Sequence, residues 1–209
     1  MISQISVNEH SSIRIGGEQV IYFDPFRIKE AAFDADIIFI THAHYDHFSP
    51  EDIVKIKKDS TVFVMPKSMQ GEENKLALSN DKVIFMSPGE TVLVGNYSVT
   101  AVPSYNTNKP MHPKSNGWLG YVVEISGKKI FVAGDTDITE EAKNVICHIA
   151  MVPICGTYTM YAKEAAELIN GMKPDVVIPT HYGTLVGKPE DANVFESLVH
   201  STIQVCRKL

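Results

Sequence analysis

The segment Ala35–Ile40 constrains the fold of this chain more than any other feature. Its strand length and apolar character predict a β-strand buried on both faces. The polar loop His42–Phe48 follows at once, and Ser49–Asp52 then has the pattern of a helix start, with Ser at the N-cap, Pro at the first position and acids in the first turn. A buried strand, a polar loop and a capped helix form the kind of rigid scaffold on which reactive groups are held.

The rest of the chain alternates short β-rich segments with a few helical ones, and Gly95-Asn96 marks a two-residue hairpin turn. Two β-rich halves with helices to cover them predict an α+β fold of two packed sheets with helices outside. No linker or low-complexity tract divides the chain, so we expect a single domain over residues 1–209. The predicted strands are Ser11–Ile15, Val20–Phe23, Ala35–Ile40, Thr61–Met65, Val83–Met86, Thr91–Val94, Tyr97–Val102, Leu119–Ile125, Lys129–Ala133, Ala150–Ile154, Val176–Pro179 and Ile203–Cys206, and the predicted helices begin at Pro50 or span Ala162–Asn170 and Pro189–Val199.

The charge balance argues against a nucleic-acid partner, because 19 Lys and Arg against 25 Asp and Glu leave a formal charge of −6. Three scattered cysteines are too few for a disulfide framework or a cysteine-rich zinc site. The amino terminus has no signal-peptide pattern, and every apolar stretch is shorter than the roughly 20 residues of a membrane span. We therefore expect a soluble cytoplasmic protein without a membrane span, of unknown oligomeric state.

The segment His42-Ala43-His44-Tyr45-Asp46-His47 points to a metal site. In an extended loop, His42 and His44 project to the same side because side-chain direction alternates. Imidazole and carboxylate groups together are ligands for zinc, iron and related divalent metals. The alternative interpretation is a polar turn whose histidines cap neighbouring elements.

This segment resembles the HxHxDH signature of the metallo-β-lactamase fold superfamily, and further landmarks follow in the family's order. Asp24, at the end of an apolar strand, is similar to the family's supporting aspartate. Asp135, after the strand ending at Ala133, matches the carboxylate that bridges two metals, and His181 matches the final histidine. His112 is the chosen third-motif histidine, with His148 as the other candidate. The resemblance implies a four-layer αββα sandwich.

The resemblance also implies a centre of two divalent metal ions, with zinc expected and manganese, iron or nickel as alternatives. His42, His44 and His112 would bind one ion, and Asp46, His47 and His181 the other, with Asp135 bridging. A hydroxide between the ions would attack a small anionic ester, lactone or phosphodiester. Asp46, as the catalytic carboxylate, or a metal-bound water would accept and return the proton. Asp24 would orient a ligand rather than touch a metal.

Residues outside the motifs give weaker signals. Tyr158 and Tyr161, in a loop before a helix, are candidate substrate contacts, with aromatic packing as the alternative. Tyr45 is expected to pack beneath the pocket, with a role in shaping it as the alternative, and Cys155 is expected to be a small buried residue. His10 and His200 lie near the chain ends and are expected at the surface.

The segments Val102–Asn106, Gly134–Asp137 and Gly156–Met160 are similar to those of a compact metal-dependent hydrolase group related to the ascorbate-6-phosphate lactonase type. Three other functions stay open. A redox diiron protein of the same fold is disfavoured because His44 stands where such oxidases carry Glu and no flavodoxin domain follows. A processing nuclease and a module with purely structural metals are the other two.

Overall fold

The computed structural model describes residues 1–78 and 82–209. Within them the chain forms two compact units, one of residues 1–86 with Leu209 and one of residues 87–208. Each unit contains one β-sheet with helices, which confirms the α+β class. The single-domain organisation over residues 1–209 stays a prediction.

The first unit contains a six-stranded sheet whose strands lie side by side in chain order. The first three strands pair antiparallel, and the third to sixth pair parallel. A helix, α1 (Pro50–Ile56), makes the crossover between the fourth and fifth strands. The strands are β1 (Ile5–Val7), β2 (Ile13–Ile15), β3 (Ile21–Phe23), β4 (Ala35–Phe39), β5 (Lys57–Pro66) and β6 (Val83–Met86).

The buried strand predicted from Ala35–Ile40 is the central strand β4. Ile38 and Phe39 have no exposed surface, and the Phe39 ring stacks on Phe23 of β3 at a centroid distance of 4.7 Å. Asp36 interrupts the apolar pattern, and its carboxylate accepts hydrogen bonds from the Val20 N–H and from the Lys58 ammonium group. The packing of β4 thus fixes the point at which the histidine-rich loop begins.

The second unit contains a seven-stranded sheet, again in chain order. Its first four strands pair antiparallel and its last four parallel, so β10 belongs to both patterns. The carboxyl ends of β10, β11 and β12 therefore lie at one edge of this sheet. The elements are β7 (Thr91–Val94), β8 (Tyr97–Pro103), β9 (Leu119–Ile125), β10 (Lys128–Val132), α2 (Glu140–Lys143), β11 (Ile149–Pro153), α3 (Ala162–Met172), β12 (Val176–Thr180), α4 (Asp191–Leu198) and β13 (Gln204–Val205).

The predicted elements are all present, with shifted ends. Helix α4 begins at Asp191 rather than at Pro189, and the closing strand keeps only two of its four predicted residues. Strand β1 and the one-turn helix α2 are additions, because segments this short show little periodicity. Ser49 does occupy the N-cap of α1, but its hydroxyl donates to Asp52 Oδ2 at 2.8 Å rather than accepting a backbone N–H.

Candidate metal centre

The loop between β4 and α1 carries four candidate ligands, which we call the amino-terminal set: His42, His44, Asp46 and His47. The His47 and Phe48 N–H groups both donate to the His44 carbonyl oxygen, at 3.0 and 2.8 Å, so the loop closes as a tight turn. His42 and His47 are buried, whereas His44 and Asp46 are half-buried. Two of the four candidate ligands are thus buried, and the other two keep partial contact with solvent.

Thr41 and Asp24 hold two of these imidazoles from behind. The Thr41 hydroxyl donates to Asp24 Oδ2 at 2.6 Å, and its oxygen lies 3.0 Å from His42 Nδ1. Because that hydroxyl has one proton, we assign His42 Nδ1 as the donor in the second contact. His47 Nδ1 lies 2.7 Å from the same Asp24 oxygen. Both rings are thus oriented with Nε2 as the nitrogen that bears the lone pair, the form in which histidine binds metals.

Asp24 is the residue for which the resemblance implies a supporting role. It is fully buried, has a positive φ of 46°, and also accepts the Thr41 N–H through Oδ1 at 2.8 Å. Burial raises the pKa of Asp24, although His47 and Thr41 act in the opposite direction. Its contacts within the first unit are those of a residue that orients ligands.

The second unit brings together the three other candidate ligands, which we call the carboxy-terminal set: His112, Asp135 and His181. Asp135 Oδ2 lies 3.3 Å from His112 Nε2 and 3.0 Å from His181 Nε2, and all three side chains are buried. Asp135 follows β10 and His181 follows β12, so both occupy the carboxyl edge of the parallel strands. His148, the other candidate for the third motif, accepts the Lys129 N–H through Nδ1 instead.

Asn106 orients His112, a role that no pattern in the sequence predicted. Asn106 Oδ1 lies 3.0 Å from both the backbone nitrogen and Nδ1 of His112, while Asn106 Nδ2 donates to the Tyr158 carbonyl at 2.9 Å. His112 Nδ1 therefore carries the proton and Nε2 faces Asp135. The orienting role of Thr41 was not predicted either, because a hydrogen bond between a side-chain oxygen and an imidazole leaves no pattern in the sequence.

The spacing of the donors fits divalent metal ions. Donors bonded to a tetrahedral zinc ion at 2.0–2.1 Å lie about 3.3 Å apart. In the amino-terminal set, His42 Nε2 is 3.0 Å from His44 Nδ1, and His47 Nε2 is 3.6 Å from Asp46 Oδ2. In the carboxy-terminal set, the two spacings of 3.0 and 3.3 Å fall in the same range. Neutral imidazoles and carboxylates are the donors that zinc, iron, manganese and nickel accept in proteins.

The expectation that His10 lies at the surface is wrong. Its side chain is fully buried in the first unit, and Nε2 lies 3.0 Å from Asp46 Oδ2. Its position near a chain end does not predict its exposure, because the turn between β1 and β2 folds back onto the signature loop. His200, by contrast, is exposed as expected.

Tyr45 also differs from its expectation, because 69% of its surface is exposed, while its ring and that of Phe26 meet in a T-shaped arrangement with centroids 6.0 Å apart. Both candidate substrate residues in the second unit reach solvent: Tyr158 is 36% and Tyr161 59% exposed. Gly156, with φ of +79°, leaves room for the Tyr161 ring, which a Cβ would meet at 2.2 Å.

Cys155 is buried, as expected, and lies beside His181. Its Sγ is 3.3 Å from Thr159 Oγ1. Burial raises the pKa of the Cys155 thiol, but hydrogen bonding and charge from His181, together with hydrogen bonds from Thr159 and the backbone, lower it overall.

Comparison with known proteins gives a consistent result. A family model described as a beta-lactamase superfamily domain matches residues 4–181. A UPF0173 metal-dependent hydrolase from Thermococcus onnurineus is 32% identical over 210 residues, which cover 94% of this chain and 92% of the relative.

Solved structures show the same fold. The crystal structure of a protein described as a metal-dependent hydrolase, from Parabacteroides distasonis, has a TM-score of 0.82 and 27% identity and covers 98% of this chain and 92% of its own. Igni18, a metallo hydrolase from Ignicoccus hospitalis, has a TM-score of 0.76 and 21% identity, covering 98% and 94%. Within residues 1–78 and 82–209, no helix combines the length and the apolar character that crossing a bilayer requires.

Proposed function

Since the chain belongs to the metallo-β-lactamase superfamily and is a metal-dependent hydrolase, we propose that it hydrolyses a small anionic ester, lactone or phosphodiester at a centre of two divalent metal ions. The observation that carries this proposal is the ligand-like spacing within each donor set, together with the oxygen groups that orient His42, His47 and His112.

The proposed ligand assignment follows the order of the family's motifs. It is supported within the first unit by the contacts of Thr41 and Asp24, and within the second by those of Asn106. The family model spans 4–181 and includes every proposed ligand, which supports one domain over residues 1–209. The first ion would be held by His42, His44 and His112, the second by Asp46, His47 and His181, and both by Asp135.

Bound divalent ions would supply Lewis acidity and lower the pKa of coordinated water to about 7. The chain's own residues would transfer the proton and hold the imidazoles in position. Asp46, half-buried and hydrogen-bonded through Oδ2, is the proposed catalytic carboxylate that receives and returns the proton of the reaction. Asp24, Thr41 and Asn106 would keep the imidazoles in place, so that no reorganisation is needed when charge develops on the substrate.

The proposed substrate is small and anionic. Two divalent cations with two carboxylate ligands form a positive centre in a chain whose formal charge is −6, so a long polyanion would be repelled where a small anion is attracted. Tyr158 and Tyr161 both expose their rings and are proposed to contact the substrate. The absence of a basic excess supports the proposal that nucleic acid is not a substrate.

Three unbridged cysteines, Cys147, Cys155 and Cys206, fit the proposal of a reducing, cytoplasmic location.

A substrate screen tests the proposal. Protein reconstituted separately with zinc, manganese, iron or nickel would be assayed against phosphodiesters, lactones and thioesters, with chelator-treated protein and the His44→Ala variant as controls. We expect hydrolysis of at least one small anionic class that chelator abolishes and that returning the metal restores. Oxygen consumption with an iron spectrum instead would indicate a redox diiron protein, and salt-sensitive cleavage of RNA or DNA would indicate a nuclease; either result contradicts the proposal.

A further inference from the structure

His10 combines full burial with an unfavourable backbone conformation. It lies in the turn between β1 and β2, has φ of +59°, and exposes none of its side chain. The left-handed conformation is unfavourable for a residue with a Cβ, because the Cβ comes too close to the following carbonyl oxygen. Such strain persists where the surrounding structure over-determines it, and it is often found at functional sites.

The turn that carries His10 is held on both sides. Within it, the Ser12 N–H donates to the Glu9 carbonyl and the Asn8 N–H to the Ser12 carbonyl, each at 2.8 Å. Asn8 Nδ2 also donates to the Phe26 carbonyl at 2.8 Å, and Ser12 Oγ accepts the Phe26 N–H at 3.1 Å. These contacts attach the turn to the segment that follows Asp24, so the backbone at His10 cannot relax without breaking several hydrogen bonds.

The side chain held in this way points to the signature loop. His10 Nε2 lies 3.0 Å from Asp46 Oδ2, and the His10 ring packs edge-on to that of His47, with centroids 6.1 Å apart. Asp46 Oδ2 is also 3.6 Å from His47 Nε2, which is beyond hydrogen-bond distance. Of the two histidines, His10 is therefore the one that is hydrogen-bonded to Asp46 Oδ2.

We propose that His10 is a positioning residue of the metal centre: its Nε2–H donates to Asp46 Oδ2 and fixes the carboxylate in the orientation that binds the metal. This inference rests on the proposed function, in which Asp46 is a ligand. Ligand carboxylates are commonly held by a hydrogen bond, and removing such a partner costs 10–100-fold in metal affinity. This role also explains the unfavourable backbone conformation of His10, because that conformation brings a donor from the turn between β1 and β2 to Asp46.

The test is a titration with Co²⁺, followed by visible absorbance, on metal-free full-length protein. His10→Phe keeps a buried ring but has no donor, His10→Gln keeps an N–H at a similar reach, and His200→Phe is the matched control at an exposed histidine. We expect His10→Phe to raise the Kd by about 10–100-fold, with the number of ions at saturation and the band positions unchanged. His10→Gln should recover most of the affinity, and His200→Phe should match the wild type.

The outcomes separate the two hypotheses. If the wild type binds Co²⁺ and His10→Phe binds it equally well, the role of His10 is wrong while the proposed function stands. If His10→Phe loses one ion at saturation, shifts the absorption bands and is not rescued by Gln, His10 is a ligand and the positioning role is wrong. A wild type that binds no Co²⁺ contradicts both hypotheses. Should His10→Phe not fold, His10→Gln against the wild type decides, because the positioning role predicts near-normal affinity for Gln.

Discussion

The amino-terminal set takes its donors from the single short loop His42–His47, whereas the carboxy-terminal set takes one residue from each of three separate loops. The first set needs only a strand end and a turn to bring its donors within 3.0 to 3.6 Å. The second needs the register of the three parallel strands β10, β11 and β12, because Asp135 and His181 follow strands separated by β11. One set is thus encoded locally and the other by the fold of its unit.

This difference has consequences for how each set responds to change. A local set depends on its own side chains and on the few residues that hold them, which are Thr41, Asp24 and, as proposed above, His10. A set assembled from three separate loops depends also on the backbone packing of the strands that precede those loops.

Removing a ligand from either set should abolish hydrolysis. For His44→Ala and Asp135→Ala we expect a loss of about 1000-fold or more, since the lost metal contribution to the transition state is several kcal/mol. Steady-state kinetics on the substrate found in the screen measures the loss, with circular dichroism to show that the fold is retained. His200→Ala is the control. If a variant of one set keeps full activity, that set does not contribute to the catalytic centre.

Removing an orienting group should weaken metal binding without abolishing it. Thr41→Val deletes the hydroxyl between Asp24 and His42, and Asn106→Leu deletes the acceptor of His112 Nδ1. We expect each to raise the metal Kd by about 10–100-fold. Competition with a chromophoric chelator measures it. Unchanged affinity in either variant would show that the corresponding imidazole needs no oxygen partner.

Thr41 and Asn106 show what the sequence could and could not predict. The buried strand β4, its capped helix and the signature loop were predictable because strand burial, capping and motif spacing are local properties. Asp135 and His181 were predictable only through the family resemblance. Asn106, Thr41 and His10 had no signal, since their roles depend on contacts between segments distant in sequence or on the direction of one hydroxyl.

A substitution that crowds the backbone near the carboxy-terminal set should destabilise the protein, whereas one at an open position of the same unit should not. A Cβ at Gly120 of β9 would lie 2.6 Å from the Ala133 carbonyl oxygen, two residues before Asp135. We expect Gly120→Ala to lower the free energy of unfolding by about 1–3 kcal/mol because backbone must move. In Gly171→Ala, where a Cβ meets nothing within 4 Å on helix α3, we expect a gain of about 0.5–1 kcal/mol. Urea denaturation measures both, and equal effects would contradict the crowding argument.

A smaller effect than that at Gly120 concerns Asp52, which connects the segment after Asp24 to helix α1. Its carboxylate accepts the N–H groups of Arg27 and Ile28, at 2.7 and 2.9 Å. Burial raises the pKa of Asp52, but the hydrogen bonds from Lys55, Ser49 and these N–H groups outweigh burial and lower the pKa below its usual value. The charged form is therefore favoured by folding, and it contributes stability above the unfolded pKa of about 3.9.

For Asp52→Asn we expect a loss of about 1–2 kcal/mol at pH 7. The difference from the wild type should shrink as the pH falls below about 4 and through the folded pKa. Urea denaturation between pH 7 and pH 3 measures this difference, and a constant difference across that range would show that the charge of Asp52 is not the stabilising feature.

The most direct test of the proposal that both donor sets supply one centre of two metals is the metal content of the purified protein and of one variant from each set. Elemental analysis should give about two divalent ions per chain for the wild type, and fewer for both His44→Ala and His181→Ala. A wild type without stoichiometric metal, whose hydrolysis is also unchanged by chelator, would contradict the account.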